Sequence, residues 1–198
     1  MYSENWAMLK TSRTPAREAL RRLSTEGLVT LCPRCHAEVT LYSEDMVQHI
    51  GYVRLALDIM ASQLAVYYGS DADFQELIRL ADLCEAAFAT GNLYNAIVAD
   101  RNFHLAIATI SKNDILMRYS QATYLRLHLL QLQFSILLDE HDKRQGFHQI
   151  IIDCLRRRDS ISLASAIMDR YTGVYHLEPR IVALFHAEGK RTLADGQI

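Results

Sequence analysis

Asp100 and His104 stand four residues apart, the interval that brings two side chains onto one face of a helix. A carboxylate and an imidazole so placed can chelate a divalent ion; they can equally be polar residues lining a helical bundle. Arg13, Arg17 and Arg21 repeat at the same interval. Their face is either a solvated basic stripe or a DNA-reading one, since the guanidinium fork matches guanine O6 and N7 with two parallel bonds. Arg54 and Asp58 are again four apart. That arginine can pair with its neighbour along the helix or grip a carboxylate ligand in bidentate fashion, and the spacing leaves both open. Cys32-Pro-Arg-Cys-His36 spells the haem-attachment string, but that chemistry needs an exported, oxidising setting. A zinc site there would need two further ligands, which the sequence does not obviously supply, so a chance match is expected. No glycine-rich phosphate loop and no nucleophile motif occurs.

These residues must be held by something. Ser12-Arg-Thr-Pro15 reads as a helix start, with Ser12 or Thr14 as cap and Pro15 in the first turn. Ala16, Ala19, Leu20 and Leu23 make the apolar face of that helix, and Gly27 ends it. Leu28–Leu31 and Ala37–Leu41 are β-like runs on either side of Cys32–His36, which predicts a two-stranded wing. From Ser43 the cadence is helical throughout. Helices are predicted over roughly 43–68, 71–89, 92–110, 112–138, 141–158, 160–172 and 174–187. Arg156-Arg-Arg158 is expected to be a solvated helix end. The fold class is therefore mainly α: a partial winged helix-turn-helix over 1–42, then an all-α antiparallel helical bundle over 43–190.

Half of the 198 residues are hydrophobic and 22% are charged, a composition that can bury a core. No apolar run is long enough to span a membrane, and the N-terminus lacks the layout of a signal peptide, so a cytoplasmic location is expected. The four cysteines are then expected to be reduced thiols. Net charge is −2, yet Lys10–Arg34 carries +4 and the remainder −6. A basic patch on an acidic protein suits a DNA-reading part joined to a sensing part.

Ser12-Arg-Thr-Pro-Ala-Arg-Glu-Ala-Leu-Arg-Arg-Leu23 followed by Glu26-Gly-Leu-Val29 resembles the recognition-helix signature of the GntR family. Pro33-Arg34 and Val39 resemble its wing. Arg54 with Asp58, Asp100-Arg-Asn-Phe-His104 with Ser111 and Asn113, and His148-Gln-Ile-Ile with Arg158-Asp159 and Ala164 resemble the FadR-type C-terminal domain. The resemblance covers about 9–175. It implies a transcription regulator rather than an enzyme, working as a homodimer on a double-stranded DNA operator. Ser12, Arg13, Thr14, Arg17 and Arg34 would contact DNA. Asp100, His104 and His148 would hold a divalent metal, zinc or nickel being suited to such donors. Tyr171 falls where the family has a fourth metal-binding histidine. Together with Arg54 it would face a small organic-acid effector.

Two departures accompany the match. His36 stands where the wing tip usually has glycine, and only Met1–Thr11 precede the recognition helix. The first helix of the reader is accordingly expected to be missing, through a misassigned start or a truncation. The rival expectation is a truncated metal- and ligand-sensing module that no longer binds DNA. A metalloenzyme using the same three ligands ranks last, because no general base accompanies them.

Overall fold

In the computed structural model, residues 12–32, 36–134 and 146–185 are described. The chain divides into two compact units, Met1–Ser43 and Glu44–Ile198.

In the first unit, α1 (Arg13–Thr25) is followed by strands β1 (Val29–Leu31) and β2 (Ala37–Val39). Ser12 takes the extended backbone of an N-cap but makes no capping bond through its side chain. Gly27 closes α1 with φ +73°, a conformation that costs glycine little. The bond from Leu28 N back to Leu23 O, 2.9 Å, completes the reversal. The strands pair antiparallel with Val29 opposite Val39 and Leu31 opposite Ala37, which is the expected wing. Of the apolar face foreseen for α1, Ala16 is buried and Leu20 half-buried, whereas Ala19 and Leu23 are exposed.

The second unit is all-helical: α2 (Asp45–Tyr68), α3 (Asp71–Ala89), α4 (Leu93–Ile110), α5 (Asp114–Phe134), α6 (Phe147–Arg156) and α7 (Ser160–Val174). The sequence punctuates these helices. Ser70 and Asp73 form a reciprocal capping box at the start of α3. Asn92 and Asp159 accept backbone N–H groups at the starts of α4 and α7. The expected final helix over 174–187 is interrupted: His176 has φ +52° and helix resumes over 179–185.

Helix α2 packs against α4, α5, α6 and α7. Its buried stripe carries Arg54, Asp58 and Ser62 into the interior, while Asp45 and His49 stay exposed. Gly51 sets how closely the chain after α7 approaches, because a Cβ there would lie 2.4 Å from Cβ of Tyr175. The arginine run after α6 departs from expectation in one residue. Arg158 reaches Val66 O at 2.6 Å and Gly69 O at 2.7 Å, capping the end of α2, where carbonyls lack helical partners.

Candidate functional site

Arg54 and Asp58 lie at the middle of α2, 3% and 6% exposed. Their Nε–Oδ2 separation is 3.1 Å. Tyr124 of α5 joins both: Arg54 Nε donates to its oxygen at 3.1 Å, and its hydroxyl donates to Asp58 Oδ2 at 2.9 Å. Tyr171 of α7 also donates to Asp58, and Arg54 Nη1 donates to the Tyr175 hydroxyl oxygen. Burial would lower the basicity of Arg54, but the phenolic oxygens of Tyr124, Tyr171 and Tyr175 and the Asp58 carboxylate outweigh it and hold the guanidinium firmly charged. Burial raises the Tyr124 and Tyr171 phenols well above their ordinary value. The sequence thus left two partners open for Arg54, and Asp58 has one of its hydrogen bonds.

Beside this pair stand the three expected metal ligands. Asp100 and His104 share one face of α4, with Nε2 3.9 Å from Oδ1. His148 arrives from the start of α6, its Nε2 3.4 Å from the same Asp100 oxygen. The other ring nitrogen of His104, Nδ1, is 3.8 Å from Asp58 Oδ2, and Arg54 Nη2 is 3.9 Å from Asp100 Oδ2. Bonds of roughly 2.0–2.3 Å at tetrahedral angles put ligand atoms about 3.3–3.8 Å apart. The Asp100–His148 pair already has that bite, and a carboxylate with an imidazole is a donor set borderline ions accept, so this pair fits a divalent metal, while His104, 3.9 Å from Asp100, stands outside it. Sequence reasoning missed one donor. Cys84 on α3, Asp100 and His148 have ligand atoms all within 4.8 Å of one another.

A cleft opens over this cluster. Arg54, Asp100, His104, His148 and Tyr171 line it, with Phe147 and Arg170. The room it offers is about 20 Å³, on the order of one water molecule. Any acid that enters must therefore be small, or must displace side chains. Arg170 lies 5.7 Å from the centre of the Phe147 ring and adds a second cation to the lining.

On the first unit, Ser12, Thr14 and Arg17 are exposed on or beside the first turns of α1. Arg21 differs, bound to Glu18 at 3.0 Å. The Arg13 side chain and the whole of Arg34 fall outside the described residues. At the hairpin, donor atoms of Cys32, His36 and Glu38 lie within 4.8 Å of one another. Glu38 thus adds a donor: it lies two residues along from His36, and the hairpin pairing sets His36 against Cys32.

The FCD domain profile matches residues 49–172. The chain belongs to the FCD-domain family. Among curated relatives of this FCD protein, the HTH-type transcriptional regulator McbR of Escherichia coli is 30% identical over 60% of the chain and 54% of that protein. The Nta operon transcriptional regulator of Aminobacter aminovorans is 30% identical over 72% of the chain and 65% of that protein. The match therefore spans between about half and two thirds of these relatives' length. The solved structure of E. coli McbR/YncC superposes with a TM-score of 0.73 at 25% identity, covering 84% of the chain and 85% of that structure. Streptococcus agalactiae GntR has the same fold, with a TM-score of 0.54 at 20% identity over 86% of the chain and 85% of that structure. The FCD protein is of the GntR/FadR type, the family its sequence resembles. No helix among its described residues is long and apolar enough to cross a membrane.

Proposed function

We propose that this FCD protein is a transcription regulator. It reads a double-stranded DNA operator through α1 and the hairpin, and its helical unit binds a divalent metal and a small organic acid. The observation that carries the sensing half is the meeting of Asp100, His104 and His148 at a cleft that Arg54 and Arg170 also line. The metal would be held by Asp100 and His148, with His104 beside them. It would supply a positive centre with positions open to a carboxylate. Arg54 acts by position: its Nε and Nη1 bonds are spent on Asp58, Tyr124 and Tyr175, and its charge remains at the cleft wall. Tyr171 orients Asp58 from α7.

The DNA-reading half is supported by the exposed Ser12, Thr14 and Arg17 at the start of α1, where base-reading residues of such helices lie. A homodimer follows from paired half-sites. Helix α5 has apolar surface to contribute, with Ile115 and Tyr119 exposed one turn apart. Binding of acid and of operator would be coupled, each altering the affinity of the other.

The test uses the purified chain, stripped of metal, reloaded with zinc or nickel, and warmed with a panel of small carboxylic acids. The reading expects bound metal and a rise in unfolding temperature with at least one acid, greater with metal than without. Lack of metal uptake together with lack of stabilisation by any acid would refute it.

A further inference from the structure

We infer that the Cys84 thiolate is itself a ligand of this metal, which makes the centre a mixed sulfur, nitrogen and oxygen site. The inference rests on the metal-binding reading above and adds a residue to it. Three helices contribute one donor each: α3 gives Cys84, α4 gives Asp100 and α6 gives His148. All three donor atoms lie within 4.8 Å of one another. Residues 84, 100 and 148 are far apart in the chain, so the convergence comes from packing of α3 against α4 and α6 rather than from chain proximity. Cys84 is 1% exposed and Asp100 5%, and the His148 side chain is 11% exposed.

Buried cysteine is ordinarily a small hydrophobe. Here the sulfur instead faces a carboxylate and an imidazole, whose own separation of 3.4 Å is already that of two ligands on one ion. Closing the sulfur onto the same point takes a contraction of about an ångström, within reach of side-chain adjustment. A thiolate changes what the site prefers. Oxygen and nitrogen donors alone admit manganese, iron or nickel as well as zinc, whereas sulfur favours zinc, cobalt and other softer ions. Binding must also release the thiol proton to solvent, since the thiolate is the ligating form.

Cobalt(II) tests this in the full chain, because a cobalt–thiolate bond gives an intense near-ultraviolet charge-transfer band that nitrogen and oxygen ligands do not. The wild type is expected to show the band at one cobalt per site. Cys84→Ser should abolish it and weaken cobalt binding by on the order of tenfold or more. His148→Gln should also remove it, and Cys32→Ser should leave it intact. Near-ultraviolet circular dichroism checks that each variant is folded, with Cys84→Ala as the apolar alternative to serine. Cobalt uptake without the band would overturn the inference while leaving an Asp100–His148 site standing. Loss of the band in Cys32→Ser instead would place the metal on the hairpin and overturn it too. Failure to bind cobalt at all would remove both this inference and the metal-binding reading beneath it.

Discussion

Arg54 and Asp58 face each other one turn apart on α2 with Nε 3.1 Å from Oδ2, both side chains less than a tenth exposed. A buried pair of this kind does not by itself stabilise a fold, because desolvating two charges offsets their attraction. Its effect is positional. The tyrosines of α5 and α7 take their hydroxyl orientations from Asp58, and Arg54 is set where its remaining nitrogen approaches Asp100.

Asp58→Ala is expected to be severe for that reason. It leaves the Arg54 charge buried and removes the acceptor of two phenols, at a cost of about 3–5 kcal/mol. For a chain of this size that is a fall of roughly 6–20 °C in Tm. The double variant Arg54→Met, Asp58→Leu should recover a large part of the loss, since it buries neither charge. Thermal unfolding of the three proteins decides. A single-variant cost below about 1 kcal/mol would show that the pair is not desolvated as described.

The same cage gives the protein an alkaline limit. Burial, only partly offset by Arg54, raises the Tyr124 and Tyr171 phenols above 10.0, their ordinary value. A group whose pKa is raised on folding contributes stability that is complete below its unfolded pKa and is lost as pH climbs through the folded one. Unfolding free energy should therefore hold up to about pH 10 and fall beyond it. In a spectrophotometric titration, the Tyr124 and Tyr171 phenols should ionise only as the helical unit opens. Full ionisation of every tyrosine in a still-folded protein would contradict this.

Much of this was readable in the sequence. Helices α2 to α5 follow the apolar cadence, and their starts carry Ser70 and Asn92, whose side chains have few better uses than capping. Asp100 with His104 and Arg54 with Asp58 were visible because helical neighbours are a matter of counting. What counting could not reach is tertiary. Cys84 has no spacing relation to Asp100 or His148, and the three tyrosines around Arg54 come from α5, α7 and the turn after it. Arg158 looked like one solvated arginine among three until the end of α2 was seen to lie against it. Cys32 joined His36 and Glu38 only once the hairpin pairing was known.

Gly51 pits two local effects against each other. Alanine in the middle of α2 would gain about 0.5–1 kcal/mol of helix propensity. Its methyl group would also sit 2.4 Å from Cβ and 2.7 Å from Cγ of Tyr175, atoms near the backbone that have little room to swing aside. Overpacking of this sort costs about 1–3 kcal/mol, so the clash should win and Gly51→Ala should be net destabilising by about 1–2 kcal/mol. The displaced ring carries the hydroxyl that Arg54 holds, so acid-induced stabilisation should weaken in the same variant. An increase in Tm would mean that α2 and Tyr175 are further apart than 2.4 Å allows.

Arg17 and Arg21 lie one turn apart on α1, yet removing them should not be equivalent. Arg21 is tied to Glu18 at 3.0 Å, which restrains its guanidinium and screens its charge, while no bond of Arg17 to a partner is found among the described residues. Arg17→Ala should cost about 1–3 kcal/mol of operator affinity, roughly 5- to 150-fold, and relax discrimination against a scrambled duplex. Arg21→Ala should cost less and act alike on both duplexes, as expected of a residue that adds charge without reading bases. Fluorescence anisotropy with operator and scrambled duplexes at one fixed salt concentration separates the two behaviours. Equal losses from both substitutions, or a loss from Arg17→Ala as large on the scrambled duplex as on the operator, would remove Arg17 from base reading.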